Sequence, residues 1–97
     1  MNGVTVEVRN GTNTAGAAAK LGEMLTQDGY DVIGVGNTDD ATIYPETLII
    51  YTKSEYEGEA KAVLDDMGSG RLVNGGDFYS SDAHVIAIIG LDWMPVD

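Results

Sequence analysis

The sequence predicts an α+β fold, an α/β two-layer sandwich: a mixed sheet of 4–5 strands with two helices on one face. Three observations carry this. Segments of period two and segments of helical period follow each other in the order β-α-β-β-α-β-β. The segments around residues 47–51 and 84–89 are apolar almost throughout, as strands buried on both faces are. Two helices are too few to cover both faces of such a sheet, so two layers are the economical packing. Right-handed crossovers then give a split β-α-β, ferredoxin-like sheet or a related one. A three-layer α/β arrangement is the alternative.

Val4, Val6 and Val8 alternate with Thr5, Glu7 and Arg9, the pattern of a half-buried strand. A turn, Asn10-Gly11-Thr12-Asn13, leads into a helix from Thr14 to Asp28. Ala18, Leu21 and Leu25 form its apolar stripe, and Gly29 supplies a left-handed stop. Residues 30–35 are the second strand, and residues 36–46 a polar loop broken by Pro45. Thr47–Tyr51 is the third strand. Ser54 and Glu57 have the spacing of a capping box. The helix behind it carries Ala60, Val63, Leu64 and Met67 on one face and stops at Gly68. Leu72-Val73 is a short strand, residues 75–82 a loop, and His84–Ile89 the last strand, closed by Gly90. A shift of 42 residues places Ala18 on Ala60, Leu21 on Val63, Gly16 on Gly58 and Val8 on Ile50, which suggests two strand–helix–strand units in tandem.

Composition narrows the partners. The 97 residues make one small domain. Five Lys plus Arg stand against sixteen Asp plus Glu, for a net charge of −11. Nucleic-acid phosphates and anionic membrane surfaces are repelled by such a chain. There is no cysteine, so disulfide frameworks and thiolate metal sites are excluded. No apolar run approaches the ~20 residues that span a bilayer. The first strand begins directly behind Met1-Asn2-Gly3, the abrupt start expected of a domain excised from a longer protein.

In this arrangement the chain resembles the LytR C-terminal domain family over residues 4 to 93. Four stretches carry the resemblance. They are Val6-Glu7-Val8-Arg9-Asn10-Gly11-Thr12 with Ala15-Gly16-Ala17-Ala18; Leu25-Thr26-Gln27-Asp28-Gly29-Tyr30-Asp31-Val32; Thr47-Leu48-Ile49-Ile50-Tyr51; and Val85-Ile86-Ala87-Ile88-Ile89-Gly90-Leu91-Asp92. The resemblance implies an extracytoplasmic accessory domain of bacterial cell-envelope proteins, mostly from Gram-positives and especially actinobacteria. Such domains usually sit C-terminal to a membrane anchor and often beside a LytR-CpsA-Psr transferase domain. It implies no catalytic residue and no cofactor here. Its partners are a wall glycopolymer, peptidoglycan or an envelope protein. A self-associating interaction module is the alternative, with the strands at 48–51 and 84–89 as its sticky edges, and a small hydrolase a third reading.

The candidate site is the turn Asn10, Gly11, Thr12, Asn13 and Thr14. A strand running into a Gly- and Asn-bearing turn at a helix N-terminus presents backbone N–H groups to a ligand. The same residues also make a tight corner, with Thr12 or Thr14 capping the helix. The turn lacks the Lys of a phosphate-gripping loop and the full G-x-G-x-x-G fingerprint, which leaves a polar, uncharged ligand. Tyr44, Tyr79, Asp92 and Trp93 form a possible additional surface, the aromatics suited to sugar faces. Asp92 either caps a local turn or lines the end of the sheet. His84, with Ser80, Ser81 and Asp82 near in sequence, is the hydrolase's would-be base and otherwise a strand-edge histidine. The acidic pairs Asp39-Asp40 and Asp65-Asp66, and Asp77 with Asp82, lack the spacing of a calcium loop, so no metal site is expected.

Overall fold

The computed structural model describes residues 4–12, 16–37, 43–68, 70–75 and 83–93. Seven elements follow the expected order: β1 (Thr5–Asn10), α1 (Ala17–Gln27), β2 (Asp31–Asn37), β3 (Leu48–Tyr51), α2 (Glu57–Met67), β4 (Arg71–Asn74) and β5 (Val85–Ile89). The strands form one sheet in the order β2-β1-β5-β3-β4. β1 pairs parallel with both β2 and β5, β3 pairs parallel with β4, and β3 meets β5 antiparallel.

The last strand of the chain is therefore the middle strand of the sheet. All five of its residues are buried, and a strand apolar on both sides is stable only where both faces are covered. One face of the sheet carries Val6, Val8, Ile49, Val85, Ala87 and Ile89. These pack in one cluster with Ala17, Ala18, Leu21 and Leu25 of α1 and Ala60, Val63 and Met67 of α2. Both helices thus share a single layer, which decides for the two-layer sandwich over three layers. Ile50, Ile86 and Ile88 point to the other side and are buried with Tyr44, Leu48 and Val73 packed against them. Glu7 and Arg9 of β1, in register with Ile86 and Ile88, form an ion pair on that same side.

The strand order is not that of a ferredoxin-like sheet. There a third strand is interleaved between the two that a helix joins. Here α1 joins the adjacent strands β1 and β2, and α2 joins the adjacent β3 and β4. Two intact β-α-β units flank β5. Because β1 and β3 run in opposite directions and both helices lie on one face, the units are related by an approximate two-fold axis through β5, normal to the sheet. The internal echo of the sequence is this symmetry. At a shift of 42 the buried helix residues coincide: Ala18 with Ala60, Leu21 with Val63, Leu25 with Met67. The strands do not keep that shift. Val8 faces the helices whereas Ile50 faces away, so the counterpart of Val8 is Ile49.

Several boundaries differ from the sequence reading. The Ser54–Glu57 capping box does not form: Ser54–Tyr56 is a single 3₁₀ turn, the N-cap of α2 is Tyr56, and no side chain caps it. Thr14 lies outside the described residues, and Thr12 does not cap α1. Its N-cap is Gly16 in the left-handed region, with no side-chain bond, and Thr12 is used elsewhere. The stops hold, Gly29 and Gly68 both having positive φ.

Candidate functional site

The C-terminal ends of β1 and β5 lie side by side with the N-terminal end of β3, so three sequence-distant segments converge there. Asn10 closes an Asx turn: its Oδ1 accepts from the Thr12 amide at 2.9 Å and from Thr12 Oγ1 at 2.6 Å. The Gly11 amide donates to Ile89 at 2.9 Å, and Gly11 in turn accepts from the Tyr44 amide at 2.7 Å. The Leu91 amide donates to Tyr44 at 2.9 Å. A Cβ on Gly11 would lie 2.6 Å from the Ile89 carbonyl oxygen and 2.7 Å from Tyr44 Cδ1. The Asn-Gly pair therefore has a structural reason: one residue makes the turn, and the other lets three backbones touch.

Asp92 does a matching job on the far side of β5. Its Oδ1 accepts from the Thr47 amide at 2.8 Å and from Thr47 Oγ1 at 2.7 Å. The same hydroxyl oxygen accepts from the Gly90 amide at 3.0 Å. Gly90 is seated against the neighbouring chain, and a Cβ there would lie 2.2 Å from the Glu46 carbonyl carbon. The Gly-x-Asp ending is thus a clasp that ties the exit of β5 to the entry of β3. Of the two roles open for Asp92, it takes the second: it joins one loop to another at the end of the sheet. Thr47, fully buried, was not singled out from the sequence. Its signal was present as the lone hydroxyl heading an otherwise apolar strand.

Beside this end lies an open cleft of about 280 Å³, lined by Lys20, Glu23, Met24 and Gln27 of α1 and by Trp93. The four helix residues stand at spacings of three and four, along one side of α1. Trp93 is held in the helix-side core, 8 % exposed, and its amide closes a turn onto Gly90 at 3.2 Å. The cleft offers a cation, a carboxylate, an amide, a thioether and an indole. That set suits recognition of a ligand with neutral or paired charges, and it holds no nucleophile-and-base pair. Sequence reasoning had no handle on Lys20, Glu23 and Gln27, which read as the solvated face of an amphipathic helix. Of the other expected site residues, Asn13, Thr14 and Tyr79 lie outside the described residues. Tyr44 is half-buried within the backbone bonds above.

His84 is engaged structurally. Its ring stacks on Tyr56 at a centroid distance of 4.2 Å, and its Nδ1 accepts from the Thr5 amide at 3.4 Å. Ser80, Ser81 and Asp82, its hypothetical partners, lie outside the described residues, as do Asp39, Asp40, Asp77 and Phe78. Among the described residues no cluster of three or more His, Asp or Glu is placed to hold a metal, and no helix is long and apolar enough to cross a membrane. Of the five cations, Arg9 pairs with Glu7 and Arg71 with Glu46 at 3.2 Å, Lys20 lies on α1, Lys61 on α2, and Lys53 between β3 and the 3₁₀ turn. Tyr30, leaving α1, reaches across to Asp66 of α2, its hydroxyl donating to Oδ2 at 2.8 Å. Burial, then the Asp66 carboxylate, raise the pKa of that phenol well above its usual value.

Two solved structures share the fold. One is the soluble domain of a conserved hypothetical secreted protein, the Rv2700 ortholog, from Mycobacterium marinum. The match covers 99 % of this chain at 20 % identity with a TM-score of 0.71, and this chain spans 64 % of that one. The other is the C-terminal domain of RV0431, at 24 % identity and a TM-score of 0.55, covering 93 % of this chain and 74 % of that one. No curated protein sequence matches the chain. The family model described as LytR cell envelope-related transcriptional attenuator matches residues 3–93. LytR_C domains are non-catalytic accessory parts of cell-envelope proteins, outside the cytoplasm. This chain belongs to the LytR_C family.

Proposed function

We propose that the domain is a non-catalytic, extracytoplasmic module of a membrane-anchored envelope protein. In this reading it binds a wall glycopolymer or peptidoglycan, or an envelope partner, and so positions a neighbouring LytR-CpsA-Psr transferase domain. The observation that carries the reading is the cleft between α1 and Trp93. Lys20 and Glu23 offer opposite charges one helical turn apart, so a neutral or zwitterionic ligand leaves neither uncompensated. A polyanion meets the net charge of −11.

The test is a pull-down on purified sacculi together with calorimetric titration of soluble muropeptides and of lipid-linked glycan. Binding that a Lys20→Ala, Glu23→Ala double variant abolishes, with thermal stability unchanged, is the expected result. No binding to any of these, and no change in wall-polymer content when the domain is deleted from its parent, overturns it.

A further inference from the structure

The two outer strands of the sheet are unequally protected. β4 has four residues. Its first, Arg71, is exposed and paired with Glu46, and its last, Asn74, is exposed and polar. β2 has seven residues, Asp31-Val32-Ile33-Gly34-Val35-Gly36-Asn37, with no Lys, Arg or Pro. Ile33 is 46 % exposed and Val35 51 % exposed. An edge strand turns half of its backbone N–H and C=O groups away from its neighbour, which makes a long, apolar one a template for another strand. Proteins normally defend such an edge with a local cation, a proline or a bulge; β2 has no cation or proline, and its one irregularity is the register shift at Ile33, between Val32 and Gly34.

Beyond that bulge, what defends the edge is the charge of the whole molecule. Every copy of the chain carries −11. Asp31 on the strand and the exposed Asp28, three residues before it in the chain, meet any second copy with like charge. Arg9, on the adjacent strand, is engaged with Glu7. Repulsion of this kind excludes copies of itself and other acidic chains. A cation-rich segment meets attraction instead.

We infer that the outer edge of β2, unpaired among the described residues, accepts an extended, cation-rich strand of a partner protein, which extends the sheet by one strand. Main-chain hydrogen bonds supply register, Ile33 and Val35 take the partner's apolar side chains, and the partner's alternate cations meet the surrounding acid. This surface is separate from the cleft of α1, so a failed ligand titration there leaves the edge proposal standing, and the reverse.

The probe is the peptide Lys-Val-Lys-Val-Lys-Val-Lys, titrated into the labelled domain while amide resonances are followed. The expected result is that shifts and hydrogen-exchange protection concentrate in residues 31–37. Affinity should fall as salt rises from about 50 to about 500 mM. Replacing the peptide's central valine by proline should weaken binding by about tenfold, since proline removes a ladder donor. Ile33→Lys, at an exposed position, should weaken it comparably with an unchanged melting curve. Shifts scattered over the acidic surface, or equal binding of the proline peptide, mean polyelectrolyte adsorption and overturn the proposal. Pairing of the domain with itself through β2 at low salt makes the occupant a second copy and overturns it equally.

Discussion

The two β-α-β units have one plan and two ways of being held. In the first, α1 presses a row of small residues, Ala17, Ala18 and Gly22, onto the strands. A Cβ on Gly22 would lie 3.0 Å from Val35 Cγ2, so helix and edge strand nearly touch. In the second, α2 turns Ala60, Val63 and Met67 inward with no glycine among them, and the unit is fastened by polar bonds: Asp92 to Thr47, Thr47 to the Gly90 amide, and the Arg71 amide to Thr47 at 2.9 Å. The first unit ends in an open edge and the second in a short, guarded one. Equal topology therefore does not mean equal stabilisation. One unit relies on close apolar packing and the other on a buried polar clasp, where each partner is costly to orphan.

Substitutions sharpen this contrast. The largest effect is expected from Gly90→Ala. The new methyl meets backbone on the β3 side that has nowhere to move, so a loss of about 3 kcal/mol or more is expected by chemical denaturation. Gly22→Ala in the first unit meets only the end of a valine side chain, and a helix gains up to about 1 kcal/mol from the exchange. Its net change should stay within about 1 kcal/mol. A Gly22 variant as damaging as the Gly90 variant would remove the distinction between the units.

Thr47→Val comes next. It keeps the shape of the side chain but takes the hydroxyl from Asp92, which retains the Thr47 amide, and orphans the Gly90 amide, for an expected loss of about 1–3 kcal/mol. Asp92→Asn keeps an acceptor at Oδ1 and should lose less than Thr47→Val. The reverse order would show that charge, rather than hydrogen bonding, holds the clasp.

Tyr30→Phe cuts the bond between the units and should lose about 1 kcal/mol at neutral pH. It should also flatten the alkaline limb of stability. The folded state holds the phenol proton more tightly than the unfolded chain does. The contribution is therefore complete below about pH 10, the unfolded value, and is lost as pH climbs from there toward the folded one. Denaturation midpoints of both proteins from neutral pH to pH 11 check this. An equal alkaline loss in the variant would place the sensitivity elsewhere, Tyr51 being the next candidate, its pKa raised by burial and by Glu57.

The smallest effect is assigned to Ser54→Ala. A working N-cap would cost about 1 kcal/mol to remove. Ser54 caps nothing, so the melting temperature should stay within about 2 °C of the parent, where 1 kcal/mol would move it by about 4–8 °C.

The element order, the inward stripes of both helices, the left-handed stops and the tandem echo were all legible, because each is a local matter of period and of backbone conformation. The family signature was legible for the same reason: Asn10-Gly11 and Gly90-x-Asp92 are fixed by close approaches that tolerate few residues. The capping box was a local signal that tertiary context overrode, with the chain entering α2 through a 3₁₀ turn instead.

What the sequence by itself determined is therefore the list of parts and the sides they bury. Only the tertiary structure decided their neighbours. Strand pairing joins residues far apart in the chain, and nothing in residues 84–89 says that they will slot between β1 and β3 and leave 31–37 as the open edge. The same holds for the site. Lys20 and Gln27 are ordinary helix-surface residues until Trp93, arriving from the other end of the chain, makes a cleft of the ground between them.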